Sequence, residues 1–339
     1  MPDCPVESSN FLVVRLSSFG DIVLAEPVTR RLKEAFPQST IWFATYAQYA
    51  GIPALFASVD TTVSYSRAGK RAQPDRDIET LTFDAVIDLQ RNLRSASIVR
   101  RARARRVLRY RRQYFRRLLC VYWPRIWRGN LKHTVELYLD AIGALGADTA
   151  PSPPRLAVPP DAVAALTREL GQGPFVGICP GGSSPHKMWG ERRFIDLVGR
   201  LRSGGHRVLA IGSQSDADQV SAVVSGLGDA AVRVVVGNDV AKIAAALSLC
   251  KVTVSNDSGL MHLAAGVGSK VVAIFGPTSP ILGFAPLAPG SVVVTRGLAC
   301  SPCSYHGNRA CRYERRHCME DIEPSEVATI VDEITGAGA

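Results

Sequence analysis

Short runs rich in β-branched residues alternate with helix-period segments along all 339 residues. Such alternation is the signature of βαβ units, in which crossover helices join parallel strands. Residues 11–15, 40–44 and 84–88 read as strands, with helices over 22–35 and 131–145. The proline-rich stretch 150–160 then stops both helix and ladder, because proline donates no backbone hydrogen bond. Beyond it, strands are expected at 175–179, 207–211, 232–236, 252–255 and 271–275. The chain therefore reads as α/β, with two Rossmann-like domains over 1–155 and 156–339 and a cleft between them. Ligands of such open sheets bind just past the carboxyl ends of the strands, so the loops found there are the first to inspect.

Composition supports two ordinary cores, with 46% hydrophobic and 21% charged residues. The first ten residues are polar and lack the basic and apolar regions of a secretory signal, and no apolar run is long enough to span a bilayer. A cytoplasmic protein is the expectation. The net charge of +10 is uneven: residues 1–158 carry 24 Lys/Arg against 14 Asp/Glu, and the remainder 16 against 16. Residues 89–135 hold 14 arginines and one lysine with no acidic residue, a density that calls for an anionic partner. Eight cysteines in such a chain argue for thiols or a metal site rather than a disulfide framework.

Three strings follow strands and precede helices. In Ser17-Ser18-Phe19-Gly20-Asp21 the backbone N–H groups suit an anion, and Asp21 is either a helix cap or a base. In Gly181-Gly182-Ser183-Ser184-Pro185-His186-Lys187-Met188-Trp189 the glycines permit close approach, the serines donate, and Lys187 brings a compact charge for phosphate. Met188 after Lys187 excludes a Walker A loop; a plain surface loop is the competing reading. Ser255-Asn256-Asp257-Ser258-Gly259-Leu260-Met261-His262 opens an apolar helix whose first turn, with the Ser258 hydroxyl, suits a diphosphate, while Asp257 suits sugar hydroxyls. Taken singly, Asp257 and Ser258 also read as caps and His262 as a core histidine.

Together these strings resemble glycosyltransferase family nine, the ADP-heptose:lipopolysaccharide heptosyltransferases. The resemblance runs along nearly the whole chain, through Arg15 to Asp21 with Pro27, Val86-Ile87-Asp88-Leu89-Gln90, Lys187-Met188-Trp189, Asp257-Ser258-Gly259 with His262, and Phe275-Gly276-Pro277-Thr278. It implies the GT-B architecture, with the acceptor on the N-terminal domain and the nucleotide sugar on the C-terminal one. By the same resemblance Asp21 is the general base, Lys187 and Asp257 contact the sugar and phosphate region, and Ser183, Ser258 and Gly259 bind the diphosphate, with Gly182, Ser184 and His262 beside them. Asp218 stands where the family often has a glutamate that holds the nucleoside, and Gly182 where many members carry a hydroxyl residue.

The implied chemistry is an inverting displacement of heptose from ADP-heptose, with no cofactor or divalent ion required if Lys187 serves the leaving group. Asp75-Arg76-Asp77, the one metal-type carboxylate pair, reads instead as a solvated helix start after Pro74. The acceptor implied is an acidic glycolipid of the lipopolysaccharide inner core, met by Ser18, Gln90, Arg91, Arg94 and Arg109. Tyr114, Phe115, Leu118, Leu119, Tyr122, Trp123 and Trp127 interleave with the arginines, as in a segment that touches the inner membrane surface. A solvated basic face over a core of aromatics is the plainer reading. No nucleic-acid module accompanies the charge.

Cys300, Cys303, Cys311 and Cys318 either form a structural zinc or iron site or are free thiols on a structured loop. Cys300-Ser301-Pro302-Cys303 resembles a segment of many second-heptose transferases, and the final helix from Pro324 is expected to pack back on the N-terminal domain. Rival readings are a relative using another nucleotide sugar or a protein acceptor, a non-catalytic binder of anionic glycans, and an oxidoreductase. The last lacks a Gly-x-Gly-x-x-Gly after its first strand.

Overall fold

The computed structural model describes residues 9–66, 78–123, 130–227 and 232–336; the Asp75-Arg76-Asp77 string and Trp127 lie outside them. The chain divides into two compact units, Met1–Arg112 with Thr134–Ala157, and Gln113–His133 with Val158–Ala339.

The first unit is built on a parallel sheet of β1 (Asn10–Val14), β2 (Thr40–Tyr46), β3 (Thr61–Tyr65), β4 (Thr82–Asp88) and β5 (Arg103–Arg109) in the order β3-β2-β1-β4-β5. Phe11, Leu12, Val13 and Val14 of the central strand are all buried, as a strand covered on both faces requires. Strand β5, Arg-Ala-Arg-Arg-Val-Leu-Arg, shows where part of the arginine run goes. A sheet edge tolerates charge and is protected by it, and Arg105 pairs with Asp84 of β4 at 3.1 Å. The expected helix 22–35 is two helices, Phe19–Val23 and Glu26–Ala35. Pro27 lacks an N–H and crowds the preceding turn, so the helix restarts with proline in its first turn.

The second unit carries β6 (Phe175–Cys179), β7 (Val208–Ser213), β8 (Arg233–Gly237), β9 (Cys250–Asn256), β10 (Lys270–Ile274) and β11 (Val292–Val294), all parallel, in the order β11-β10-β9-β6-β7-β8. Its core gathers Ile178, Trp189, Phe194, Val254, Ile274 and Met319. The final helix, Pro324–Thr335, lends Val327 and Val331 to this same core and packs beside the helix Glu191–Ser203. Its apolar face is thus used within its own unit.

Residues 113–123 and 130–133 group with the second unit although they precede the proline-rich stretch. The helix Tyr114–Tyr122 buries Cys120 and Val121 against Leu282, with Phe284 and Tyr305 alongside. Arg117 sits over the Phe284 ring at 4.8 Å and donates to the Tyr305 hydroxyl at 3.3 Å.

Both sheets reverse their strand order, the first between β1 and β4 and the second between β6 and β9. Such switch points open the loops on either side and are where open α/β sheets take ligands.

Candidate functional site

At the first switch point, the loops after β1 and β4 are joined by Gln90, whose side-chain oxygen accepts from the backbone N–H of Leu16 (2.9 Å) and Ser17 (3.1 Å). Asp88 closes the turn after β4, accepting from the N–H of Gln90 and Arg91 and from the Ser95 hydroxyl. Arg91 occupies the left-handed region at φ 50°, a sparsely populated conformation that marks a tightly determined turn. Gln90 is buried, and through its side-chain oxygen it braces the scaffold of the Asp21 loop.

Ser18 is the extended residue ahead of the helix Phe19–Val23, and Asp21 lies three residues on. One carboxylate oxygen, Oδ2, accepts from the Ser18 N–H (3.2 Å) and hydroxyl (2.7 Å) and pairs with Arg15 Nη2 at 2.7 Å. The other, Oδ1, lies 3.5 Å from the Tyr138 hydroxyl. Ser18 is therefore the N-cap and Asp21, inside the helix, its capping-box partner through one oxygen, while the second oxygen has only the long contact from Tyr138. Burial would raise its pKa, but the Arg15 guanidinium and the Ser18 hydrogen bonds outweigh that and hold the carboxyl below its ordinary value. Arg15 is fixed in turn by the Leu89 carbonyl (2.6 Å) and stands over the Tyr138 ring at 5.5 Å. Nothing beside Arg15 in the sequence signals its pairing with Asp21, and Tyr138, over a hundred residues away, carries no local signal.

The basic candidates of this unit separate. Arg112 donates to the Gln90 carbonyl and Arg91 to that of Tyr110 (3.3 Å), so both stay beside the Asp21 loop. Arg94 donates to the Tyr46 hydroxyl (3.0 Å) and lines a cavity of about 220 Å³ with Leu16, Tyr65, Ile98 and Arg101. Arg109, half exposed on β5, reaches Asp88 at 3.8 Å.

At the second switch point, fully buried Asn256 of β9 performs the same joining task as Gln90. Its amide donates to the carbonyls of Pro180 (2.8 Å) and Gly181 (2.9 Å), and its oxygen accepts from the Trp189 N–H (3.0 Å). The loop after β6 is thereby held at both ends. Gly181 is required by close approach, since a Cβ there would lie 2.1 Å from Asp216 Oδ1. Ser184 is buried, accepts from the His186 N–H (3.3 Å) and donates to the Gly307 carbonyl at 2.6 Å, so its hydroxyl is spent on the loop; Ser183 is exposed.

Lys187 Nζ lies 2.7 Å from Asp257 Oδ2, with 12% and 10% of the two side chains exposed. The same oxygen accepts from the Thr278 hydroxyl at 2.6 Å. Removing one partner of so enclosed a pair would leave the other uncompensated, at a cost of about 3–5 kcal/mol. Ser258 is the extended residue before the helix Gly259–Gly266 and makes no side-chain cap there; its hydroxyl is 3.3 Å from that of Ser255. His262 is buried one turn further on. Lys187, Asp257, Ser258 and Gly259 thus come together, with Thr278 added. Asp218 is exposed in the first turn of the helix Ala217–Gly226, and it is the buried Asp216 that abuts Gly181.

Among the described residues no group of three or more His, Cys, Asp or Glu side chains is placed to hold a metal ion, and Cys300, Cys303, Cys311 and Cys318 are free thiols. Burial, reinforced by the neighbouring thiols, pushes Cys318 up to about 11.

The profile of glycosyltransferase family 9 (heptosyltransferase) matches residues 72–314. The lipopolysaccharide heptosyltransferase 2 of Salmonella typhimurium is 26% identical over 292 residues, which cover 79% of this chain and 83% of that one. The lipopolysaccharide heptosyltransferase 1 of Pseudomonas aeruginosa is 25% identical over 94% of this chain and 96% of its own. Among solved structures, the E. coli ADP-heptose LPS heptosyltransferase II has a TM-score of 0.72 at 21% identity, covering 97% of this chain and all of that one (100%). A family 9 glycosyl transferase of Veillonella parvula has a TM-score of 0.75 at 18% identity, over 96% and 97% of the two chains. The two parallel-sheet units are thus those of the GT-B fold, and the chain belongs to glycosyltransferase family 9, the heptosyltransferases.

Proposed function

We propose that this glycosyltransferase transfers heptose from ADP-heptose to an acidic inner-core lipopolysaccharide acceptor, with inversion and without a divalent ion. The observation that carries the reading is the Lys187–Asp257–Thr278 cluster beside the uncapped start of the helix Gly259–Gly266. It offers a cation and free helix N–H groups to a diphosphate, and a carboxylate to sugar hydroxyls. The names of the relatives support the substrates: one solved structure is an ADP-heptose LPS heptosyltransferase and another is the E. coli heptosyltransferase WaaC with ADP.

Asp21 accepts the proton of the acceptor hydroxyl as the new bond to the anomeric carbon forms and the bond to the diphosphate breaks. Its depressed pKa keeps it ionised at neutral pH, and the pairing of Oδ2 leaves Oδ1 as the accepting atom. A positioned base of this kind contributes about 10²- to 10⁴-fold. Negative charge moves to the departing ADP, where Lys187 exchanges its carboxylate partner for phosphate oxygen. Preorganised donors facing developing charge are worth about 3–4 kcal/mol each.

The acceptor's anionic groups are met by Arg91, Arg94 and Arg112 around the Asp21 loop, through forked guanidinium hydrogen bonds. No helix among the described residues is long and apolar enough to cross a membrane. The helix Tyr114–Tyr122 nonetheless has a second apolar face: Phe115 is 78% exposed, and Leu119, Tyr122 and Trp123 are exposed beside Arg116. This face docks on the anionic cytoplasmic surface of the inner membrane, where a lipid-linked acceptor resides.

Donor discrimination tests the reading. The purified protein, given a truncated inner-core acceptor, is expected to release nucleotide from ADP-heptose and not from UDP- or GDP-sugars; equal turnover of a UDP-sugar would overturn the donor assignment.

A further inference from the structure

The segment between Ser301 and Arg316 is fastened to both strings that hold the second unit's site. The Ser301 hydroxyl donates to the Gly276 carbonyl (2.8 Å), and the Cys303 and Ser304 N–H groups donate to that of Pro277 at 2.9 and 3.1 Å. From its other end, Arg316 donates to the carbonyls of Pro185 (3.1 Å) and Met188 (3.4 Å), which flank Lys187. Between these anchors, the Gly307 carbonyl accepts the buried Ser184 hydroxyl at 2.6 Å. Gly307 has φ +73°, and a Cβ placed on it would fall 2.3 Å from Lys187 Cγ and 2.4 Å from Cδ. Real Cβ atoms do not approach that closely, so the lysine stem lies directly against bare glycine backbone.

We infer that residues 301–316 form a wall of the donor site, and that Gly307 is a positioning residue that sets the reach of Lys187 to the diphosphate. The lysine is pressed between this wall and its Asp257 partner, so a side chain at 307 moves the ammonium group off its line. This restricts the rotamer freedom of a long side chain before the ligand arrives, which is how a flexible cation becomes a preorganised one. The inference rests on the reading of Lys187 as a phosphate ligand.

Its test is Gly307→Ala in the full-length protein, matched by Gly297→Ala. Gly297 is also left-handed, at φ +55°, but has nothing within 4 Å of the added Cβ, so it reports the backbone cost alone. ADP affinity by calorimetry is expected to fall at least tenfold in G307A and to stay within about twofold in G297A. In a Lys187→Met background, G307A is expected to cause less than a twofold further loss. If G307A binds ADP as G297A does, or if its loss persists undiminished without the lysine ammonium, the wall does not act through Lys187. If K187M itself binds ADP like the wild type, the reading of Lys187 fails instead. Should G307A not fold, Lys187→Ala combined with G307A opens the space and must restore a folding transition; its failure to do so overturns the inference.

Discussion

Arg15 and Asp21 form a 2.7 Å ion pair that ties the end of the first strand to the first turn of the following helix. The pair commits one carboxylate oxygen and, with the Ser18 hydrogen bonds, lowers the pKa of the whole group against the opposing effect of burial. In Arg15→Gln, burial is left unopposed by the guanidinium. The acid limb of kcat/KM is expected to move upward by about 1 to 3 pH units, an amount typical of losing a close opposite charge. Because the folded carboxyl lies below its unfolded value, the stability it contributes is full above the unfolded pKa near 4 and is lost as pH falls through the folded one. The variant should therefore lose most of its stability difference from wild type in strong acid. An unshifted pH–rate profile would contradict this role for Arg15.

Lys187→Met should lower kcat/KM for the nucleotide sugar by about 10²- to 10³-fold, the usual loss for one donor facing transition-state charge. The second unit should stay folded but with a lowered Tm, since the methionine stem still fills the space beside Gly307 while Asp257 loses its cation. Steady-state kinetics with thermal denaturation on the same sample checks both halves.

Gln90→Ala separates scaffold from acceptor contact. The buried N–H of Leu16 would lose its partner at about 1–3 kcal/mol, and the part-buried N–H of Ser17 would lose its own at less. A lowered Tm with slackened turnover is expected; unchanged Tm with a raised acceptor KM would return Gln90 to the acceptor site.

These contrasts also show what the sequence makes legible. Strands such as Phe175–Cys179 are apolar runs buried on both faces, and their periodicity is plain in the chain. The loops that follow them carry glycine, serine, lysine and aspartate at strand ends, so Asp21, Lys187 and Asp257 stand out. Strand β5 was illegible because charge replaces β-branching at a sheet edge. The packing of the helix Tyr114–Tyr122 is not legible because its partners, Leu282, Phe284 and Tyr305, lie well over a hundred residues away. Asn256 was quoted within a motif, yet its joining role depends on carbonyls of another loop, which no spacing encodes. Asp216 and Asp218 are adjacent in type and spacing, and only packing against Gly181 tells them apart.

The exposed face of the helix Tyr114–Tyr122 gives a separate prediction. Phe115→Glu with Leu119→Glu should abolish co-sedimentation with vesicles containing phosphatidylglycerol while leaving Tm unchanged, because both side chains are exposed. Wild-type protein that ignores such vesicles, or a double variant that binds them equally, would remove the membrane from the account.

We propose Asp21 as the base that takes the proton of the acceptor hydroxyl. The direct measurement is ADP release from ADP-heptose with a truncated inner-core acceptor, wild type against Asp21→Ala, with ADP affinity measured on both. Turnover is expected to fall about 10²-fold or more, with ADP affinity unchanged. Turnover of Asp21→Ala at the wild-type rate would contradict it.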